Sequence, residues 1–139
     1  MLWCRCSVKE SSGLQYRCWW WAVGLGLVLV VVYLSLADIY VPQAPSTLGD
    51  KINHLIAYGV LCGWFGQLLH SWLSRMAMAF CLVMLGVLME LMQGLTLYRV
   101  FDLQDAVANT LGVLAGLLAL TLGADNLLRW FEKRYLDVA

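Results

Sequence analysis

Charge is scarce in this 139-residue chain: charged side chains make up 13% of it and hydrophobic ones 62%, a balance too apolar for a small soluble globule. A membrane is the environment that composition fits. The nine basic and nine acidic residues cancel, so no basic face recommends nucleic acid and no acidic run suggests a disordered tail. Nucleic acid is not an expected partner. The five cysteines, Cys4, Cys6, Cys18, Cys62 and Cys81, are scattered and form no extracellular disulfide framework. Cys4-x-Cys6 has no second Cys or His pair nearby to complete a metal site. Histidine occurs only at His54 and His70, and without an H-E-x-x-H pair the set His54, Glu90 and Asp105 has no second imidazole in reach. No metal and no other cofactor is expected. A nucleophile elbow, a phosphate loop, a dinucleotide fingerprint and a CxxC pair are also missing, and Ser46 and Ser71 have no evident base beside them, which argues against the familiar soluble enzyme classes.

What the chain has in quantity is long apolar runs. Between Arg17 and Asp38 lies the uncharged stretch CWWWAVGLGLVLVVVYLSLA, long enough at 1.5 Å per residue to cross a hydrocarbon core of about 30 Å, with tryptophans suited to the interface. Ser35 and Ala37 resemble the small-x-small end of a signal peptide, but the apolar run exceeds the usual h-region of about 7–15 residues, so a retained helix is expected. Both prolines fall in VPQAPSTLGD, a loop before the second run, Ile52 to Leu73. A short HSWLSR connection leads to a third run, Met76 to Tyr98, and after RVFDLQ a fourth covers Asp105 to Leu122. The expected fold is all-α: a four-helix transmembrane bundle at 18–122 between an N-terminal tail at 1–17 and a C-terminal tail at 123–139.

Basic residues set the direction. Arg5, Lys9, Arg17, Arg75, Arg129, Lys133 and Arg134 lie on one side of this topology against Lys51 and Arg99 on the other, so both termini and the Arg75 loop are expected in the cytoplasm. In the tail NLLRWFEKRYLDV, Leu127, Leu128, Phe131 and Tyr135 share one helical stripe, the pattern of a short helix lying along the inner surface as an anchor.

Glu90 is the residue this topology has to accommodate. It stands roughly 21 Å up a core of about 30 Å. An ionisable group near mid-bilayer costs roughly 2.5–3.5 kcal/mol on insertion scales, so it needs partners. Candidates reach the same outer-leaflet depth: Asp50, Lys51, His54 and Tyr58 start the second helix, Arg99 ends the third, and Asp102, Asp105 and Asn109 start the fourth. Asp50 and Asp102 also suit helix-start roles, and Lys51 can snorkel into headgroups. If all four carboxylates point inward, the site needs a proton on Glu90 or His54, a bound cation or a cationic ligand group. Gly59 and Gly63 on the second helix, and Ala108, Gly112 and Gly116 on the fourth, form small-xxx-small stripes that allow close backbone approach.

The segments DKINHLIAYGVL and ELMQGLTLYRVFDLQDAVANTLGVLAG resemble the VanZ-like family of small bacterial membrane proteins. That family's pattern is D-K-x-x-H followed by Tyr, then E-x-x-Q, an Arg, and D-x-x-x-N-x-x-G. It falls here on Asp50, Lys51, His54, Tyr58, Glu90, Gln93, Arg99, Asp105, Asn109 and Gly112. The resemblance implies a four-helix integral protein of the bacterial inner membrane, and the family's namesake is linked to low-level resistance to the glycopeptide teicoplanin. It supplies no reaction. Two functions fit the residues. In the first, Lys51 and Arg99 hold the anionic headgroup of a lipid or cell-envelope precursor, Tyr58, Gln93 and Asn109 line the site, and Glu90, His54 or Asp105 exchanges a proton. In the second, the cluster only locks the helices together, and the protein is a scaffold or assembly partner for other membrane proteins or a second copy of itself. Transport ranks behind both, because four short helices form no obvious inverted repeat.

Overall fold

The computed structural model describes residues 14–36, 48–95 and 102–136, which are helical with no strand among them. Four long helices, α1 (Arg17–Leu36), α2 (Leu48–Leu68), α3 (Trp72–Gly94) and α4 (Leu103–Thr121), are followed by short turns at Ala124–Asn126 and Glu132–Leu136 flanking α5 (Leu127–Phe131). With 20, 21, 23 and 19 residues, the long helices measure roughly 28–35 Å at 1.5 Å per residue. The bundle expected from the apolar runs is present. By length and composition α1, α3 and α4 can each cross a membrane. α2 matches them in length but carries Asp50, Lys51 and His54 in its first two turns, and it buries Tyr58, Leu61, Cys62, Phe65 and Leu68.

Helix boundaries differ from the apolar runs where polar residues begin a helix. α2 starts at Leu48, ahead of Ile52, because Asp50 in its first turn suits the positive end of the helix dipole. α3 starts at Trp72 rather than Met76: the Ser71 hydroxyl accepts the Ser74 N–H at 3.0 Å and caps the helix. Asp102 caps α4 in the same way, accepting from the Gln104 N–H at 2.8 Å. Gly123, in the left-handed region at φ 107°, ends that helix where a side chain would be strained.

α2 and α4 form the most extensive helix pair, and they run in the same direction: Lys51 meets Asp102, His54 meets Asn109, Gly59 meets Gly112, and Gly66 meets Leu120. They approach closely because side chains are missing where the backbones cross. A Cβ added at Gly116 would stand 2.7 Å from the Gly59 carbonyl oxygen and 2.8 Å from Cys62 Cβ, and one at Gly112 would strike the Leu55 carbonyl. Ala108 is buried in the same seam. Gly63 has open space at its own Cβ position and contributes its backbone nitrogen, which faces Gly116. Leu29 and Tyr33 on α1, Phe80 and Leu88 on α3, and Leu114 and Leu118 on α4 are exposed, an apolar surface that fits acyl chains rather than water.

At the end away from Asp50, most polar groups are matched to partners, with Arg17 Nε the buried atom left without one. Arg17 donates to the Leu68 carbonyl at 3.2 Å and Arg75 to the Leu69 carbonyl at 3.1 Å, while Arg75 also pairs with Asp125 at 3.4 Å. The Leu128 N–H donates to Gln67 Oε1 at 2.8 Å, docking α5 on α2. Within the tail Leu128 is buried, whereas Leu127, Trp130, Phe131 and Tyr135 remain exposed, an apolar surface available to a membrane interface. Glu132, one acid among basic neighbours, is buried: its carboxylate accepts the Gln15 N–H at 2.7 Å, the Tyr16 N–H at 3.0 Å and the Trp20 indole N–H at 2.6 Å. The tail thereby caps the start of α1, where a carboxylate also meets the helix dipole favourably.

Two substitutions test this packing in detergent by thermal unfolding. Gly116→Val should cost about 1–3 kcal/mol by forcing α2 and α4 apart, and Glu132→Ala about 1–3 kcal/mol by removing the charged acceptor that three N–H donors share. Wild-type melting in both variants would contradict the assigned seam and cap.

Candidate functional site

The polar end is built by repetition. Asp50 and His54 are the third and seventh residues of α2, and Asp105 and Asn109 are the third and seventh of α4. Residues four apart share a helix face, so two parallel helices in register bring the pairs against each other. α3 runs the opposite way and delivers Glu90 about 6 Å before its end at Gly94. Gly86, one turn earlier on the same face, makes room for α4: a Cβ there would lie 3.0 Å from Asn109 Cβ. The i−4 spacing from Glu90 was the available sequence signal for that glycine.

Lys51 Nζ lies 2.9 Å from Asp102 Oδ2 and 3.1 Å from Asp105 Oδ1, so its charge is already shared between two carboxylates. His54 Nδ1 is 3.0 Å from Asn109 Oδ1. An amide oxygen only accepts, so His54 carries a hydrogen on Nδ1, and Nε2 is the nitrogen turned toward carboxylates. Nε2 is 4.0 Å from Asp50 Oδ1 and 4.0 Å from Asp105 Oδ2. Asp50 is therefore more than a helix-start residue. On the other edge of the ring, Glu90 Oε1 stands 3.9 Å from Nδ1.

Glu90 is 0% exposed, Tyr58 1% and Asn109 1%, yet both Glu90 oxygens, the Tyr58 hydroxyl and Asn109 Nδ2 have no hydrogen-bond partner. Each such group costs about 1–3 kcal/mol if left unpaired. These orphaned groups come from α2, α3 and α4: Glu90 and Asn109 flank the His54 imidazole, and Tyr58 follows His54 one turn along α2. Gln93 is buried and takes a different direction, its amide donating to the Ser35 carbonyl at the end of α1 at 2.8 Å. Arg99, Ser46, Cys4 and Cys6 lie outside the described residues, as does the Ala37 side of the signal-peptide pattern.

Long apolar helices with acids, an imidazole and amides gathered at one end define a small membrane protein of helical-bundle type. The chain belongs to the VanZ/LLP1 family, which it matches over residues 11–124. It is also 31% identical over 100 residues to an uncharacterized protein of the fission yeast Schizosaccharomyces pombe, across 70% of this chain and 59% of that relative. A yeast relative means that family membership alone does not specify a bacterial membrane. No solved structure matches the chain.

The Lys51 ammonium, with the Gln104 N–H, holds the Asp102 carboxyl below its ordinary value of 3.8. A depressed folded value gives a stability contribution that is complete above pH 3.8 and is lost as pH falls through the lower folded value. Asp102→Asn should therefore melt below wild type at neutral pH, with the gap closing as the buffer is taken below pH 3.8. A gap that is independent of pH would contradict the ion pair.

Proposed function

We propose that this protein binds an amphiphile, a lipid or a cell-envelope precursor, with its apolar chain along α2 and α4 and its headgroup at the polar cluster. The observation that carries this reading is an apolar groove of about 420 Å³ between α2 and α4, walled by Ile52, Leu55, Val107 and Leu111 with Lys51 and Gln104 at its rim. That volume lies within the roughly 300–1,000 Å³ of small-molecule sites. Lys51 belongs both to the groove and to the ion pairs with Asp102 and Asp105, so an apolar chain in the groove leads its headgroup to the cluster. In this reading Lys51 and Arg99 contact the headgroup, the unpartnered atoms of Tyr58, Glu90 and Asn109 receive its polar groups, and Glu90, His54 or Asp105 is available for proton exchange. The basic residues at the opposite end of the bundle support cytoplasmic termini, and in this reading the site faces the outer leaflet, for a bacterial chain that of the inner membrane. Glycopeptide susceptibility is then the cellular phenotype to score.

Native mass spectrometry tests this directly. Val107→Trp, which fills the groove, should abolish a copurifying lipid while leaving the fold intact, and Leu29→Trp on the exposed face of α1 should retain it. Equal lipid on wild type and Val107→Trp would overturn the proposal.

A scaffold role is supported by a separate observation: the Lys51 bridge and the His54–Asn109 bond tie α2 to α4 without any ligand. If locking is the whole role, Glu90→Gln and Asn109→Ala lower folded yield before any phenotype changes. Well-folded variants that lose the phenotype favour the binding site.

A further inference from the structure

We propose that the polar end of the α2–α4 pair holds a divalent cation, with Asp50, His54 and Asp105 as its ligands and the buried Glu90 carboxylate behind the same imidazole. One ligand atom from each of Asp50, His54 and Asp105 lies within 4.8 Å of the others, and Nε2 is 4.0 Å from an oxygen of each acid. That separation is too long for hydrogen bonding. It is close to the spacing of donors around one ion, since ligands bound at roughly 2.0–2.2 Å stand about 3–4 Å apart.

The surroundings are arranged as they are around metal-ligating imidazoles. Asn109 fixes the His54 ring through Nδ1, leaving Nε2 free to ligate. Lys51 holds Oδ1 of Asp105, so that Oδ2 is the oxygen turned to the histidine. Charge points the same way: among the described residues, Asp50, Glu90, Asp102 and Asp105 converge with Lys51 as the accompanying ammonium. The independent observation is Glu90, 0% exposed, with both oxygens unpartnered and Oε1 3.9 Å from the ring. Glu90 faces Nδ1, the edge of the ring opposite the ligating Nε2, and a carboxylate buried there is met either by a proton of its own or by positive charge on the imidazole side, which a cation at Nε2 supplies. One nitrogen with carboxylate oxygens suits Zn2+ or Mn2+ better than Mg2+ or Ca2+, which prefer all-oxygen shells.

This reverses the expectation from sequence that no metal is bound, which rested on the missing H-E-x-x-H pair and second imidazole. It also deepens the amphiphile reading, on which its second part rests. Lys51 is already shared between two acids, and the cation adds a positive centre for an anionic headgroup beside Lys51 and Arg99.

The full chain in detergent, stripped with EDTA, is titrated with Mn2+ while free Mn2+ is read by electron paramagnetic resonance, with Zn2+ as competitor. Wild type should bind Mn2+ and release it to Zn2+. Asp50→Asn and His54→Gln should weaken binding by about 10–100-fold or more, the loss typical of disturbing even an outer-shell partner. Glu132→Gln, at the opposite end of the bundle, should bind as wild type. Melting curves identify any variant that fails to fold, and Asp50→Asn, at a partly exposed position, is the decisive one. Wild type that leaves both ions free at millimolar concentration, or Asp50→Asn that binds like wild type, overturns the cation site. Short-chain phosphatidylglycerol is then added with Mn2+ or with EDTA. Binding only with Mn2+ supports the bridging role. Equal binding in EDTA overturns that role and leaves the amphiphile reading standing, whereas metal binding with no lipid in either condition overturns the amphiphile reading and leaves the cation site standing.

Discussion

At Gly59, Gly112 and Gly116 the backbones of α2 and α4 touch with no side chain between them, and the polar end of the molecule is organised by that contact. Inside a bilayer, helix association has no hydrophobic drive of the kind that acts in water, so close packing of small residues has to supply the attraction. A backbone crossing of this kind tolerates neither axial sliding nor rotation. It therefore fixes the register in which Asp50 and His54 meet Asp105 and Asn109, within about two turns of the seam. α3 completes the arrangement because Gly86 lets Asn109 in beside it, bringing Glu90 to the same imidazole.

The two ends of the bundle contain comparable numbers of polar groups and treat them differently. Around Glu132, three donors converge on one buried carboxylate, and Arg17, Arg75 and Gln67 reach carbonyls or an amide N–H across helices. Those are the contacts of a cap and a latch. Around His54, by contrast, a buried carboxylate, a phenol and an amide nitrogen are left without hydrogen bonds. Because orphaned buried polar groups are costly, the four atoms gathered at this end, against Arg17 Nε at the other, are the features the proposed binding site rests on. The apolar groove between α2 and α4 shares Lys51 with that end.

Much of this was legible beforehand, for identifiable reasons. Long apolar runs announce helices that cross a membrane because composition and length suffice for that inference. Glu90 stands out because a carboxylate has few excuses at that depth. Spacings of four brought His54, Tyr58, Asp105 and Asn109 onto usable faces. Glu132 was not legible, since an acid among lysines and arginines in a tail reads as solvated until the start of α1 is seen folded over it. Nor was Gln93, whose partner on α1 is far away in the chain. Asp50 looked like a helix-start residue, and only the parallel neighbour turns its oxygen toward a histidine.

The sequence by itself determined membrane residence, the number of long helices, family membership and the presence of a polar set among apolar runs, because hydropathy, periodicity and motif spacing are local properties of the chain. Tertiary structure alone decided that α2 and α4 lie side by side in register, that Lys51 is spent on two aspartates, and that Tyr58, Glu90 and Asn109 keep unsatisfied atoms. Those facts depend on distances between residues remote in the chain, set by which backbones can touch, and no local pattern encodes them.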